Sequence, residues 1–207
     1  MKKKIVKLSK EEKNNIKHLK KIEELLIQVG LRIAKRGEGA LFVVGNVEYK
    51  PLINQQVPSF NALNNPKLLE SLALMDGAVI LERTGWVKAY GAMIKSKRTF
   101  KNFGTRHSAG LSASKGDNLV LIVSEEDRKI RILKEGKMVM QIDALQKDVE
   151  KSVPEAVNIL ESLGAGTVGA VGAGLLVPGL GIAMIPGIVV FGSAYYLAKL
   201  LGKKFKR

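Results

Sequence analysis

The spacing of apolar residues predicts an amphipathic helix at the start of the chain. Ser9 followed by Glu12 resembles a capping box, and the apolar residues that follow recur at helical spacing between lysines. These residues are Ile16, Leu19, Ile22, Leu25, Leu26 and Val29. Gly30 and Gly37 indicate a kink and an end. We assign residues 1–21, which carry nine lysines, to a basic amphipathic helix separate from the domain that follows.

Strand-like and helix-like segments alternate through the middle of the chain. A strand pattern at 40–45 is followed by Asn65 and Pro66, which fit the N-cap and first position of a short helix. Two β-rich runs, 77–82 and 86–94, are separated by three residues typical of a hairpin turn. Further β-rich runs lie at 118–124, 129–134 and 138–142. This order predicts an α/β fold with a mixed central β-sheet and several antiparallel neighbours.

An uncharged, glycine-rich tail follows a polar segment. Asp143 fits the N-cap of a linker helix over residues 144–162. From residue 162 to residue 198 no side chain is charged, and this stretch holds nine of the 21 glycines. Small residues recur in it at a spacing of four, which lets helices approach closely in lipid. We therefore predict a hydrophobic helical hairpin within residues 163–207.

The tail is a candidate for membrane association. Pro178 and Pro186 divide it into two apolar halves of 15 residues, each about 22 Å long as a helix, against a hydrocarbon core of ~30 Å. A re-entrant hairpin, two spans that recruit part of the link, and a hairpin packed only on the soluble domain are the alternatives. Lysines near the end of the tail favour the cytoplasmic side. We expect residues 163–201 to attach a cytoplasmic domain to the inner face of the cell membrane.

Composition excludes several classes of site. The chain has no cysteine and two histidines, which excludes disulfides, thiolate catalysis and a histidine-rich metal site. A bound metal is therefore expected to be a hard cation held by oxygen ligands. Most of the net charge of +15 lies in residues 1–21 and 199–207, so the middle of the chain is nearly neutral. No helix-turn-helix or zinc pattern accompanies these basic ends, and we expect no specific nucleic-acid partner.

Residues 164–169 match G-x-G-x-x-G in letters alone. A dinucleotide site needs a strand before this motif, a helix after it and an acidic residue about 20 positions further on. The preceding segment is helix-like, and no acidic residue follows Glu161. We therefore exclude a Rossmann-type site.

Two short polar stretches in the middle of the chain carry candidate chemistry. Asp76 and Gly77 stand between a predicted helix and a predicted strand, but an Asp-Gly turn is common and alone indicates little. The stretch 104–110, GTRHSAG, starts a predicted helix whose backbone N–H groups favour phosphate. Arg106 and Thr105 would add a guanidinium and a hydroxyl, although such residues also serve as ordinary helix caps.

Together these stretches resemble the diadenylate cyclase (DAC, DisA-N) family. The resemblance rests on Asp76-Gly77-Ala78, residues 104–109 and Ser124-Glu125-Glu126, in that order, and covers about residues 22–143. It implies a mixed sheet flanked by helices that condenses two ATP molecules into cyclic di-AMP and releases two pyrophosphates. The implied partners are ATP, Mn²⁺ or Mg²⁺, and a second protomer in a face-to-face homodimer or higher oligomer. In that dimer each 3′-hydroxyl attacks the α-phosphate of the ATP on the other subunit.

The resemblance also assigns roles to residues. Asp76, Arg106 and His107 are the implied catalytic residues, and Asp76 is a candidate metal ligand as well. The implied ATP-binding residues are Gly77, Ala78, Ile94, Gly104, Thr105, Arg106, His107, Ser108, Ser124 and Glu125.

The chain departs from the pattern of the family that it resembles at Ser108 and Gly110, where members often carry arginine and alanine. Lys95, Lys97 and Arg98 are candidates to replace the missing positive charge. Because of these departures, the alternative function is a catalytically inactive sensor that binds ATP or cyclic di-AMP.

Overall fold

The computed structural model describes residues 10–95, 104–164 and 184–190. The helices of this part of the chain are α1 (Lys10–Lys35), α2 (Pro66–Ala73), α3 (Thr105–Ala113), a 3₁₀ turn η1 (Val149–Ser152) and α4 (Val153–Gly164). The strands are β1 (Ala40–Val44), β2 (Tyr49–Pro51), β3 (Ala78–Leu81), β4 (Val87–Ile94), β5 (Leu119–Val123), β6 (Lys129–Lys134), β7 (Lys137–Asp143), β8 (Met184–Ile185) and β9 (Ile188–Val190).

The strands form one sheet in the order β2-β4-β3-β1-β5-β6-β7-β9-β8. β1 and β3 are parallel, with Phe42 opposite Val79, and the other neighbouring strands are antiparallel. The mixed central sheet predicted from the sequence is therefore confirmed.

Helices cover both faces of the sheet. α1 and α2 pack on one face over a large hydrophobic cluster that includes Phe42 and Val44 of β1, and α4 packs on α1. α3 packs on the opposite face, where a smaller cluster includes Leu41 and Val43. All five residues of β1 are buried, as expected for a central strand between two helical layers.

The helices and strands between residues 40 and 143 match the elements predicted from the sequence, with one exception. The six predicted strands are present as β1, β3, β4, β5, β6 and β7, and α2 begins at Pro66 after Asn65 at the N-cap. The sequence did not predict β2, whose three residues are all exposed and which pairs with β4. A strand this short gives no periodic signal.

The first helix extends beyond the predicted segment. Residues 1–9 lie outside the described residues, so the separate helix predicted over 1–21 stays a prediction. From Lys10 the helix continues past residue 21 and through Gly30 to Lys35. Ile22, Leu26 and other apolar residues of its second half are fully buried in the larger cluster. Gly37, with φ 75°, follows the end of the helix, as predicted.

The region predicted as a linker helix differs from the structure at its start. Residues 144–148 form turns, in which the backbone N–H of Leu145 donates to Asp143 Oδ1 over 3.0 Å. Helical structure begins only with η1 and α4. Val153, Val157 and Leu160 belong to the same hydrophobic cluster as α1, so α4 is part of the packed domain.

Residues 184–190 form a β-hairpin where the sequence predicted a helical hairpin. Pro186 and Gly187 link the strands, and Gly187 has φ 76°, as the second central residue of a type II turn requires. β9 extends the sheet beside β7, and Ile188 and Val190 are buried. This β-branched run fits a pleated surface better than a helix. The rest of the predicted hairpin lies outside the described residues.

Within the part of the chain that the structure describes, no helix is both long enough and apolar enough to cross a membrane. The membrane association predicted for residues 163–201 falls mostly on residues outside this part and stays a prediction.

Glu23 of α1 is an ionisable group inside the core. It is 5% exposed, and its Oε2 atom has no hydrogen-bond partner among the described residues. Burial raises the pKa of Glu23 to about 7; Lys134 and Lys20 oppose this rise, and Glu161 of α4 adds to it. Lys20 also pairs with Glu161, 3.5 Å away. The folded chain therefore favours the protonated form of Glu23.

Replacing Glu23 with glutamine is expected to remove a pH dependence of stability. The pKa of Glu23 in the folded chain is about 7 against an ordinary 4.5, so the folded state holds its proton more tightly. This favourable contribution is complete below pH 4.5 and is lost as the pH rises through 7. Above that window, Glu23→Gln should be more stable than the wild type by roughly 3 kcal/mol, as measured by urea unfolding at a series of pH values.

Glu24→Gln, one position further along α1, is the control and should leave the pH slope in place. Equal slopes in the wild type and in Glu23→Gln would contradict the assignment.

Candidate functional site

A cleft of about 680 Å³ is lined by every residue to which the family resemblance assigned a catalytic or ATP-binding role. Three segments contribute most of its wall: the start of β3, the first turns of α3 and the end of β5 with the turn that follows. The lining residues are Leu41, Leu52, Asp76, Gly77, Ala78, Ala92, Met93, Ile94, Gly104, Thr105, Arg106, His107, Ser108, Ala109, Val123, Ser124, Glu125, Glu126, Asp127 and Arg131.

Strand direction brings these segments together. β1 is parallel to β3 and antiparallel to β5. The start of β3, with Asp76 just before it, therefore lies at the same end of the sheet as the end of β5, with Ser124 just after it. α3 packs on β1, β4 and β5 on one face, so its first turn reaches the same end. Motifs far apart in sequence thus share one cleft.

Gly77 is required by the close approach of the neighbouring strand. Its φ is 101°, and a Cβ atom there would lie 2.7 Å from the backbone nitrogen of Ala92 and 2.7 Å from the carbonyl carbon of Gly91. β4 has an irregular register here, because Ala78 pairs with Ala92 while Ile80 pairs with Ala89, and Gly91 has φ 53°. An extra residue in β4 thus turns its backbone toward the Asp-Gly turn.

The first turn of α3 presents backbone donors to the cleft. Gly104 is the N-cap, and no side chain caps the helix. The residues from Gly104 to His107 line the cleft. Because the first N–H groups of a helix have no partner within the helix and carry its positive dipole end, this wall favours an anion.

Packing of α3 accounts for Gly110, one of the two departures from the family pattern. A Cβ atom at Gly110 would lie 2.6 Å from Cδ1 of Ile122 on β5, so the glycine lets the helix sit close to the sheet. Ser108, the other departure, is 3% exposed.

The structure brings another arginine to this wall of the cleft. Of the candidates to replace the missing charge, Lys97 and Arg98 lie outside the described residues, and Lys95 is exposed and not among the residues that line the cleft. Arg131 of β6 lines it instead. The sequence analysis did not assign Arg131, Asp127 or Glu126 to the site.

Arg106 lies over a glycine and beside a carboxylate. A Cβ atom at Gly39 would overlap the guanidinium, with Cζ at 2.8 Å. Nη1 of Arg106 is 3.8 Å from Oε2 of Glu125, and the two side chains are 34% and 58% exposed. Such a loose, exposed pair contributes little stability, so the Arg106 guanidinium is available to another anion.

His107, Arg131 and Asp127 form a connected group. Arg131 contacts both carboxylate oxygens of Asp127, and its Nη1 is 3.2 Å from Nε2 of His107. Burial and the nearby Arg131 charge lower the pKa of His107, although Asp127 and Glu126 oppose this. Burial alone would raise the pKa of Asp127, but hydrogen bonds from Arg131 and Ser124 outweigh it, and the pKa is lowered.

Apolar side chains also line the cleft. Leu52 follows β2 and donates its backbone N–H to the carbonyl of Gly91 over 2.8 Å, which holds it against β4. Leu52 and Met93 are about half exposed, and Ile94 is buried beside them. The lining of the cleft therefore combines apolar side chains with backbone donors and cations. Leu52 was not predicted as a site residue because β2, the strand that it follows, was not predicted.

Replacing Gly77 with alanine is expected to destabilise the domain by about 2 kcal/mol. The new Cβ would meet the backbone of β4, which cannot move without breaking its pairing, and φ is positive. Thermal or urea unfolding measures the loss. Gly104→Ala is the control, because a Cβ there meets nothing within 4 Å. Equal stability losses in both variants would show that the approach of β4 does not require glycine.

Two curated proteins with sequences similar to this chain are both named diadenylate cyclases. A diadenylate cyclase from Haloferax volcanii is 30% identical over 138 residues, 57% of this chain and 51% of that protein. The diadenylate cyclase CdaS of Bacillus thuringiensis is 36% identical over 102 residues, 45% of this chain and 51% of that protein. The chain thus spans about half the length of the curated relatives that it matches.

A solved structure of DacA from Staphylococcus aureus, a double mutant, is 23% identical with a TM-score of 0.45, and the alignment covers 71% of this chain and 97% of that one. This structural similarity is too low to assign the chain to a family. The family assignment rests on the sequence match described next.

Residues 30–138 match the DAC family, described as DisA bacterial checkpoint controller nucleotide-binding. This match covers more than half of the 207 residues and includes every residue that lines the cleft. The chain belongs to the DAC family.

Proposed function

We propose that this protein is a diadenylate cyclase that joins two ATP molecules into cyclic di-AMP and releases two pyrophosphates. One observation carries the proposal: Asp76, the first turn of α3 and Ser124-Glu125 line the same cleft. These are the three motifs of the family, and the relatives described above are named diadenylate cyclases.

The two kinds of lining, apolar and cationic, suit the two ends of ATP. A volume of about 680 Å³ is within the range of small-molecule sites. The adenine would lie against Leu52, Met93 and Ile94, since a flat apolar base gains most from apolar contact. The phosphates would lie against the first turn of α3, with Thr105 and Arg106 as donors. Ser124 and Glu125 would border the same nucleotide.

Asp76 is the residue that we assign to the reacting hydroxyl. It is exposed in the cleft beside Gly77, so a 3′-hydroxyl or a metal ion can reach its carboxylate. As in other phosphoryl transfers, most of the work is positioning and stabilisation of charge. Asp76 would orient or deprotonate the hydroxyl, while Arg106 stabilises the charge that develops on the phosphates.

A divalent cation fits this site if the nucleotide supplies most of the ligands. The described residues contain no group of three acidic or histidine side chains that would hold an ion alone. Mg²⁺ is commonly bound through one or two carboxylates together with substrate phosphates, and Asp76 offers such a carboxylate. Mg²⁺ or Mn²⁺ would neutralise charge on the phosphates when bound.

Two protomers are needed because each cleft holds one ATP and each product contains two nucleotides. The rim beside the cleft is apolar: Leu52, Leu74, Met75 and Met93 are each between 42% and 49% exposed. These side chains would be covered when two clefts face each other, and we propose a homodimer in that arrangement. Attachment to the inner face of the membrane through residues 163–201 is proposed from the sequence pattern alone.

Replacing Asp76 with asparagine is expected to lower the rate of cyclic di-AMP formation at least a hundredfold, as loss of an acid-base group does. The full chain is incubated with ATP and Mn²⁺ or Mg²⁺, and the products are identified by mass spectrometry. Asp117→Asn is the control, because Asp117 pairs with Arg83 away from the cleft. Full activity of Asp76→Asn would remove the assignment of Asp76.

The wild-type protein in the same assay separates the two functions considered from the sequence. A cyclic dinucleotide product supports the cyclase. If the protein binds ATP but forms no product with either Mn²⁺ or Mg²⁺, an inactive sensor is favoured.

Replacing Gly39 with alanine is expected to weaken ATP binding about tenfold, the loss of one charge-assisted hydrogen bond. The new Cβ would occupy the space of the Arg106 guanidinium and displace it without changing Arg106 itself. Calorimetric titration with a non-hydrolysable ATP analogue measures the change. Arg106→Ala should produce a similar loss. Unchanged affinity in Gly39→Ala alongside a loss in Arg106→Ala would show that the guanidinium binds ATP from another position.

A further inference from the structure

We propose that Arg131 is a positioning residue of the nucleotide site: held by Asp127, it fixes His107 as a neutral imidazole with its proton on Nδ1. The consequence for catalysis rests on the proposed cyclase function, whereas the geometry does not. Arg131 lies on β6, outside the three motifs that the family shares with this chain.

Asp127 determines where the guanidinium of Arg131 lies. Nη1 of Arg131 is 3.2 Å from Oδ1 of Asp127, and Nη2 contacts Oδ2. A two-point contact of this kind fixes the plane of the guanidinium as well as its position. The Arg131 side chain is 18% exposed, so water competes weakly for it. The guanidinium is therefore a fixed donor beside the cleft.

The contact with His107 selects one tautomer. Nη1 of Arg131 is 3.2 Å from Nε2 of His107. A guanidinium has only donors and stays protonated in proteins, so Nε2 must accept the hydrogen bond. An accepting ring nitrogen carries no proton, and the single proton of a neutral imidazole then lies on Nδ1.

Burial and two of the four charged groups around His107 act in the same direction as this contact. Arg131 from β6 and Arg106 from α3 disfavour a second positive charge, while Asp127 and Glu126 from the β5–β6 turn favour one. Asp127 is already engaged by Arg131. Together with burial, these groups keep the pKa of His107 below its ordinary value.

This arrangement limits what His107 can do in the reaction. Its Nε2 lone pair is engaged by Arg131, so that atom is not free to take a proton from a hydroxyl. With its proton on Nδ1, the neutral ring can donate a hydrogen bond from that atom but cannot act as a general base through it. Asp76 is left as the candidate to act on the 3′-hydroxyl.

The tautomer can be tested directly in the protein without nucleotide. The full chain is labelled with ¹⁵N-histidine, and long-range ¹H–¹⁵N spectra are recorded through a pH titration. With two histidines in the chain, His18 serves as the internal reference. In the wild type, His107 should stay neutral with its proton on Nδ1 to below the ordinary histidine pKa of ~6.5. In Arg131→Met its pKa should rise toward that value.

A matched variant separates this effect from a general loss of charge. Arg83 also pairs with an aspartate, Asp117, but lies outside the cleft, so Arg83→Met should leave His107 unchanged. A wild-type His107 protonated on Nε2, or the same titration in the wild type and Arg131→Met, would overturn the proposal. If Arg131→Met does not fold, Arg131→Lys replaces it, because a lysine cannot hold both partners in one plane. In Arg131→Lys the preference for Nδ1 should weaken, and an unchanged preference would count against the proposal.

Kinetics give the second readout. If Arg131 acts through His107 on charge that develops during the reaction, Arg131→Met should lower kcat by about tenfold to a hundredfold and change KM for ATP by less. An equal loss in Arg83→Met, or a change confined to KM, would contradict a positioning role. A wild-type protein without cyclase activity would reject the proposed function and leave the spectroscopic result to decide the state of His107.

Discussion

The pairing of β1 with β3 on one side and β5 on the other is the constraint on which the site depends. β1 is buried along its whole length, between the cluster under α1 and the cluster under α3. Both faces of β1 are therefore packed, and its pairing with its two neighbours, with Phe42 opposite Val79 and Leu121, is enclosed by the core. Because β3 runs with β1 and β5 runs against it, Asp76 and Ser124 meet at one end of the sheet. The position of the cleft is therefore determined by the directions of the three core strands.

The two arginines of the cleft differ in how firmly they are held. Arg106 is separated from Glu125 by 3.8 Å, and both side chains are accessible, so a phosphate can take the place of the carboxylate at little cost. Arg131 is less exposed and is gripped at two points by Asp127. In the proposed nucleotide site, Arg106 would exchange Glu125 for a phosphate. Arg131 would keep its contact with Asp127 and hold the ring of His107 in place.

How far the sequence predicts the site depends on the range of the contact. The motifs around Asp76, Arg106 and Ser124 could be placed together because each follows or precedes a recognisable strand or helix. The contact between His107 and Arg131 depends on the register of β5 with β6, where Ile122 pairs with Arg131. One signal was present: in β6, Ile130 and Ile132 face the α1 side, so Arg131 between them faces the side of α3. The β8–β9 hairpin was missed because it lies within a long uncharged run in which the spacing of small residues indicated packed helices.

The outer strands of the sheet decide how copies of this protein can associate. Among the described strands, one edge is β2, three exposed residues that include Lys50 and end at Pro51, and the other is β8, two residues followed by Pro186. Short edge strands with lysine or proline offer few free backbone donors and acceptors for another strand. A second copy is therefore not expected to extend the sheet into a continuous ribbon. Contact between copies through the described part of the chain is therefore expected to use side-chain surfaces rather than strand pairing.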